Sequence, residues 1–403
     1  MKKIIIGLCA LFIFIGITGC NSNAFIKDAI AIATDETGTF LINADQEKLY
    51  LEYDIVSEFS DIIIVRHNGK YGYINKEGKT LIKPQYQAAY PFSEEKAVVV
   101  SKGIYQIIDL NNKVLYTFES GITSNSYFSE GMLVVEQDGK FGYLNDSFQL
   151  AIEFKFDSAA PFSESQAAVG KELDGTIRYS YIDPKGRLQI RGNDESAYCY
   201  YYASYFNNGY AKVSLDDEHY AFVDENHLVV VDTIRFTRFD IRTGQYENIV
   251  EKIDYAQSEV NILIDGDKEI TYFIVAYTSD VGRKYFLMNP NSTIIYYHYF
   301  TKHRLGVIEN NYLPINLNNG SYGIYQFTTN PIYDPSSILD DEKYPYYFRQ
   351  IEIDSKDSYS RIPMGINDFR NGYASFYTFN GKYGLVNTEG KVVLEAKYNQ
   401  IRY

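Results

Sequence analysis

The sequence predicts an all-β fold: tandem three-stranded repeats of about 35 residues, packed as a propeller-like ring or an open β-repeat array. Three observations predict it. The stretch KYGYINKEGK at 70–79 returns as KFGYLNDSFQ at 140–149 and as KYGLVNTEGK at 382–391. Its Asn belongs to a series, Asn43, Asn75, Asp109, Asn145, Asp183, Asp224, Asn289 and Asn387, in which an apolar residue always comes just before. Most steps in the series are 32 to 41 residues; the last two are near two and three units, so degenerate copies fall between, Tyr322-Gly323-Ile324-Tyr325 among them. Finally, the chain holds 40 Tyr, 25 Phe and no Trp, a bias toward residues that suit pleated, half-buried surfaces.

Each element of the unit has a physical reason. An Asn or Asp opening a turn accepts a hydrogen bond from the backbone two residues on, and Pro184 and Pro290 at the next position fix φ for a type I turn. Gly78, Gly186 and Gly390, with Asn112 as a substitute, stand at the fourth position, where a bulged hairpin needs φ > 0. Asn75, Asp109, Asp183 and Asn387 are therefore read as turn residues, and the charged residues beside them as solvated tips. In the strand before the turn, Tyr71-Gly72, Phe141-Gly142 and Tyr383-Gly384 place a glycine where a strand is normally weakened. An aromatic ring lying across the bare backbone is the expected compensation. Between turns comes a second landmark, PFSEEKAVVV (91–100), YFSEGMLVVE (127–136), PFSESQAAVG (161–170), YFNNGYAKVS (205–214) and DFRNGYASFY (368–377). Its Phe is an apolar anchor, and the run after it a strand. The segment LIKPQYQAAYPF before Phe92 reads as another strand.

With these residues in view, the chain resembles the bacterial WG-repeat proteins. The best match runs from Lys70 to Val100, with Tyr71-Gly72 in place of Trp-Gly; Phe141-Gly142 and Tyr383-Gly384 make the same replacement. The resemblance covers about 29–231 and 366–403 and is weak over 232–365. It implies an all-β repeat body on an exported bacterial protein and supplies no catalytic residues.

Residues 1–19 read as a signal peptide: Lys2 and Lys3 precede an apolar run, IIIGLCALFIFIGI, too short for a confident membrane span. The run ends in Ile17-Thr18-Gly19-Cys20, which resembles the lipobox of bacterial lipoproteins. That resemblance implies cleavage before Cys20, acylation of its thiol and amine, and anchoring on the extracytoplasmic face of a membrane. Residues 20–28 form a short tether, reaching less than about 30 Å. Residues 29–231 are then regular repeats, 232–365 divergent repeats with insertions, and 366–403 a last repeat. Loss of Lys2 and Lys3 takes the net charge from −14 to −16, which disfavours nucleic acid and anionic membrane surfaces as electrostatic partners. Cys199, in AYCYYYASYF, reads as a small buried residue on a strand, with no disulfide partner in the mature chain.

Chemistry is sparse. The sequence holds no HExxH, GxSxG, CxxC or glycine-rich phosphate loop. His298 and His303, five apart in an extended segment, point to opposite faces, and His227 fits a tight turn. DGDKE at 265–269 hints at calcium, but Ile270 stands where the loop needs glycine. No cofactor, metal or catalytic residue is expected. The expected role is binding: a scaffold surface for another envelope protein, with 329–347 as a long surface loop in the divergent segment. The alternative is glycan recognition by tyrosine clusters, Tyr198, Tyr200, Tyr201 and Tyr202 or Tyr344, Tyr346 and Tyr347, although cross-strand packing also accounts for them. Cys20→Ser is expected to release the protein from membranes on cell fractionation; a variant that stays bound rules out the lipid anchor.

Overall fold

The computed structural model describes residues 25–190, 195–216, 219–240, 244–253, 259–265, 268–279, 282–288, 290, 294–298, 312–316, 322–328, 347–351, 363–378 and 380–403. Cys20 and the segment before it lie outside these residues, as do Asn289, Gly266, His303 and 329–346. The described chain is strand, turn and bend, arranged in ten antiparallel sheets of two to five strands. The two-stranded one is a hairpin of Thr233–Asp240 and Gln245–Lys252, between two larger sheets.

The repeat is a sheet of four strands more often than of three, because LIKPQYQAAYPF divides. Thr80–Tyr86 closes one sheet, and Ala88–Ala89 opens the next by pairing with Lys96–Ser101. Gln87 is the pivot, its amide already bonded to the Val100 carbonyl at 2.7 Å. The same division recurs at Asp157 and Tyr201, whose amides reach Gly170 and Ser214 in the following sheet. Two sheets thus share each connecting segment.

Residues on one strand alternate between faces, so a strand buried on both sides reads as an unbroken apolar run. Ala97, Val99 and Ile108 face Tyr73, Ile82 and Tyr86 of the preceding sheet. Val98 and Ile107, one residue over, face Leu133, Val135 and Leu144 of the following sheet. Further cores join 132–156 to 167–182, and 168–181 to 211–223, in the same manner. The divergent segment joins in: Ile234, Phe273 and Met288 pack with Phe222 and Val231, and Ile324 packs with Ile366 and Phe376.

The two ends of the chain meet. Gln400–Arg402 pairs antiparallel with Ala29–Asp35, Ile32 opposite Arg402, Ala33 opposite Ile401 and Thr34 opposite Gln400. The first sheet therefore runs, in spatial order, Lys48–Tyr50, Gly38–Asn43, Ala29–Asp35, Gln400–Arg402. Behind the pairing, Ala31, Ala33, Phe40 and Ile42 bury against Leu385, Leu394 and Tyr398. Asn399 adds a backbone bond to Thr34 at 2.7 Å, and Lys397 donates to the Gln46 side chain at 2.8 Å. Ile401→Asp places a charge in this closing contact, where Ile401 is 7% exposed. It is expected to lower unfolding stability by about 3 kcal/mol, read by urea denaturation; an unchanged midpoint contradicts closure through this strand.

Candidate functional site

The hairpin tips have the hydrogen bonding that their sequence requires. The side-chain oxygen of Asp109 accepts from the amides of Asn111 and Lys113, at 2.9 and 2.8 Å. Asn145, Asp183, Asp224 and Asn387 make the same pair of bonds, two and four residues on. Asn75 makes the second of them, to Lys79, at 2.8 Å. Gly78, Gly186 and Gly390 have φ of 87°, 73° and 80°, and Asn112 takes the same left-handed conformation at 65°.

Sequence alone does not reveal that this fourth position also touches the sheet before it. Asn112 accepts a hydrogen bond from Tyr86 at 2.6 Å. Phe148, at φ 59°, stacks on Tyr116 with centroids 5.4 Å apart. Gln46 takes the bond from Lys397. At Gly78 and Gly186 a side chain would run into Leu49 and Ile152. His227, at φ 62°, stacks on Tyr181 at 5.1 Å and meets Phe206 edge-on at 5.8 Å. Both its ring nitrogens are buried and, among the described residues, have no hydrogen-bond partner. Burial pushes the imidazole pKa down, against an opposing pull from Asp224.

The strand glycines are explained differently from the expectation. At Gly72 and Gly142 no ring crosses the backbone. A side chain there would strike backbone of the following strand, the Ile82 carbonyl oxygen and the Ile152 carbonyl oxygen respectively. A register shift between Tyr71 and Tyr73, and again between Phe141 and Tyr143, brings that strand close. Of these three glycines only Gly384 has an aromatic, Phe376, over it, together with the Leu394 carbonyl. Tyr71, Phe141 and Tyr383, beside these glycines, are half-buried at the edges of the cores. The tyrosines just after Gly72 and Gly142 lie deeper. Tyr73 and Tyr143, with Tyr181 in the equivalent place, are fully buried. Each donates its hydroxyl to a carbonyl in the segment entering the next sheet, Tyr90, Ala160 and Ser204, at 2.7–2.8 Å. Each also meets the next anchor phenylalanine edge-on, Phe92, Phe162 and Phe206, at 4.7–5.0 Å. Burial raises all three phenol pKa values far above the usual range, so these hydroxyls stay protonated donors.

The Ser-Glu pair after the anchor links neighbouring loops. Ser129 Oγ donates to the Phe162 carbonyl and Ser163 Oγ to the Phe206 carbonyl, both at 2.7 Å. Glu94 accepts from the Gly131 amide at 3.1 Å, Glu130 from Ser165 at 2.7 Å, and Glu164 from Gly209 at 2.7 Å. These loops thus form a continuous latched row.

One residue differs from its expected setting. Cys199 is exposed and lies in an irregular segment, not buried on a strand; only Tyr202–Ala203 of AYCYYYASYF is strand. Partial covering still pushes its thiol pKa up, so it is no ready nucleophile. Tyr198 and Tyr200 are buried at 9% and 4% exposure, so they pack rather than offer ring faces, while the Arg178 guanidinium sits 3.2 Å from the Tyr201 ring centre. The last sheet opens at Pro363. Among the described residues no group of three His, Cys, Asp or Glu is placed to hold a metal ion, and no helix is long and apolar enough to cross a membrane.

Three stretches, 71–103, 141–172 and 383–403, match the family model of the WG containing repeat, and these matches support a WG-repeat protein. No curated protein matches the chain. Among solved structures, BamB from Moraxella catarrhalis is 11% identical with a TM-score of 0.37, over 82% of this chain and 96% of that one. KlHsv2 with loop 6CD replaced by a Gly-Ser linker is also 11% identical, with a TM-score of 0.39 over 75% and 98%. The computationally designed Ika8 protein is 13% identical, with a TM-score of 0.33 over 78% and 89%.

Gly72→Val forces the Ile82 carbonyl away and is expected to cost about 2–4 kcal/mol in urea unfolding, beyond the ~1 kcal/mol span of β propensity. A cost within that span contradicts the close approach. Because the folded state holds His227 neutral, the unfolded chain takes up its proton first as pH falls below the ordinary value near 6.5. Its contribution to stability is thus present above that pH and lost below it. Between pH 7 and 5, wild type is expected to lose more stability than His227→Asn, which tolerates the left-handed backbone; parallel pH profiles contradict this.

Proposed function

We propose that this protein is a lipid-anchored, extracytoplasmic scaffold whose repeat body binds another protein of the bacterial envelope. The observation that carries the reading is the latched row of loops from Glu94 to Gly209, with the closing pair of strands. Hydrogen bonds between successive sheets hold exposed loops in fixed relative positions, so little conformational entropy is lost when a partner docks. Tyr127 and Tyr205, each directly before an anchor phenylalanine, present 45% and 64% of their surface on this row. Tyrosines on rigid supports are frequent anchors of protein interfaces. The acidic balance is in keeping with a protein partner and opposed to nucleic acid.

Affinity capture from cross-linked cells is expected to recover the same envelope protein with wild type and to lose it with the Tyr127→Ala, Tyr205→Ala double variant at unchanged thermal stability. Equal recovery by both forms contradicts binding through this row.

A further inference from the structure

The sheet that closes the array differs from the regular repeats in one respect. In the regular repeats the short first strand runs on through an anchor-phenylalanine loop into the second, as Ser158–Ala159 runs through Phe162 into Ala167–Leu173. In the closing sheet the first strand is Gln400–Arg402 and the second is Ala29–Asp35, so the paired strands are not consecutive along the chain. The neighbouring loops remain on either side, around Phe59 and around Phe369. A cavity of about 370 Å³ lies there, lined by Glu58 from one loop, Asp368 and Arg370 from the other, and Arg402 and Tyr403 from the closing segment.

The lining departs from the repeat at a telling place. Arg370 occupies the position held by the latching serines Ser129 and Ser163, directly after the anchor phenylalanine. Here a long cation takes the place of the hydroxyl. Among the described residues neither Arg370 nor Arg402 forms an ion pair; Arg402 is held by a hydrogen bond to the Ser57 carbonyl. Tyr403 is fixed by donating to the Asp368 carbonyl at 2.6 Å. Tyr377 lies across the bare backbone of Gly365 and keeps 38% of its surface open. Asn367 donates to the Ser375 hydroxyl at 2.8 Å on the cavity wall.

We propose that this seam cavity binds a carboxylated sugar, a uronic acid residue, with its carboxylate on Arg370 and Arg402 and its ring against Tyr377. Guanidinium groups match a carboxylate through paired N–H donors. The carboxylate of Glu58 accepts from a sugar hydroxyl, as an acceptor-only group must. A tyrosine ring supports the apolar C–H face of a pyranose while its polar edge stays wet. The volume is at the small end of ligand cavities, which suits one or two sugar rings. The walls are set by hydrogen bonds made without ligand, so the site is formed in advance.

The test is calorimetric titration of the full-length, detergent-solubilised protein with glucuronate, glucose and acetate. Glucuronate is expected to bind, with glucose and acetate at least about tenfold weaker. Arg370→Gln, an exposed position, is expected to weaken glucuronate at least about tenfold at an unchanged melting temperature. A tetra-uronate binding as tightly as the monomer supports the site with a polymer end as the source; binding of the monomer alone supports it with the free sugar. No glucuronate binding at about 10 mM overturns the proposal. So does unaltered binding by Arg370→Gln, or acetate binding as tightly as glucuronate, which marks a simple anion site.

Discussion

Ile32 with Arg402, Ala33 with Ile401 and Thr34 with Gln400 are three residue pairs on which the remaining packing relies. A stack of small sheets buries each sheet between two neighbours, except at its ends, where an apolar face and an unpaired strand edge are left over. Here the two ends answer each other. The first sheet receives a strand from the last segment, and Phe40 and Ile42 find Leu385 and Tyr398. Without that pairing, the unbroken apolar runs typical of this sequence would expose one side on two sheets.

Between neighbouring sheets the chain uses three kinds of contact at different depths. Buried tyrosine hydroxyls reach the carbonyls of the segment that crosses to the next sheet. Left-handed tip residues press on the sheet behind. Loop serines and glutamates link one anchor loop to the next. The variety of side chains at the tips, glycine, asparagine, phenylalanine, glutamine and histidine, follows from what each faces, since the backbone there demands only a positive φ. This is why the repeat can drift in sequence and keep its geometry.

Much of this was legible beforehand. The Asx tips and their glycines, the anchor phenylalanines and the all-β class follow from local rules that act within a few residues. What was not legible is relational. Gly72 looked like a seat for an aromatic, because sequence shows the strand but not the register shift that brings the Ile82 carbonyl onto it. Cys199 sat among alternating tyrosines that read as a strand, whereas the chain there is irregular and the residue exposed. The partners of the Ser-Glu pair lie 33 to 45 residues away in the next loop, beyond the reach of any local pattern. The cavity at the seam depends on which two strands meet, and no local pattern states that.

The closing pair has a consequence for how the molecule is made. Contacts between successive sheets join residues a few tens of positions apart and can form as the chain emerges. The pairing of Ile32 with Arg402 spans about 370 residues, and contacts of such separation carry the largest loop-closure entropy and form slowly. During synthesis, therefore, the array passes through an open state with the edge of Ala29–Asp35 unpaired until Gln400–Arg402 is made. Until Gln400–Arg402 pairs there, that edge is open to pairing with another chain.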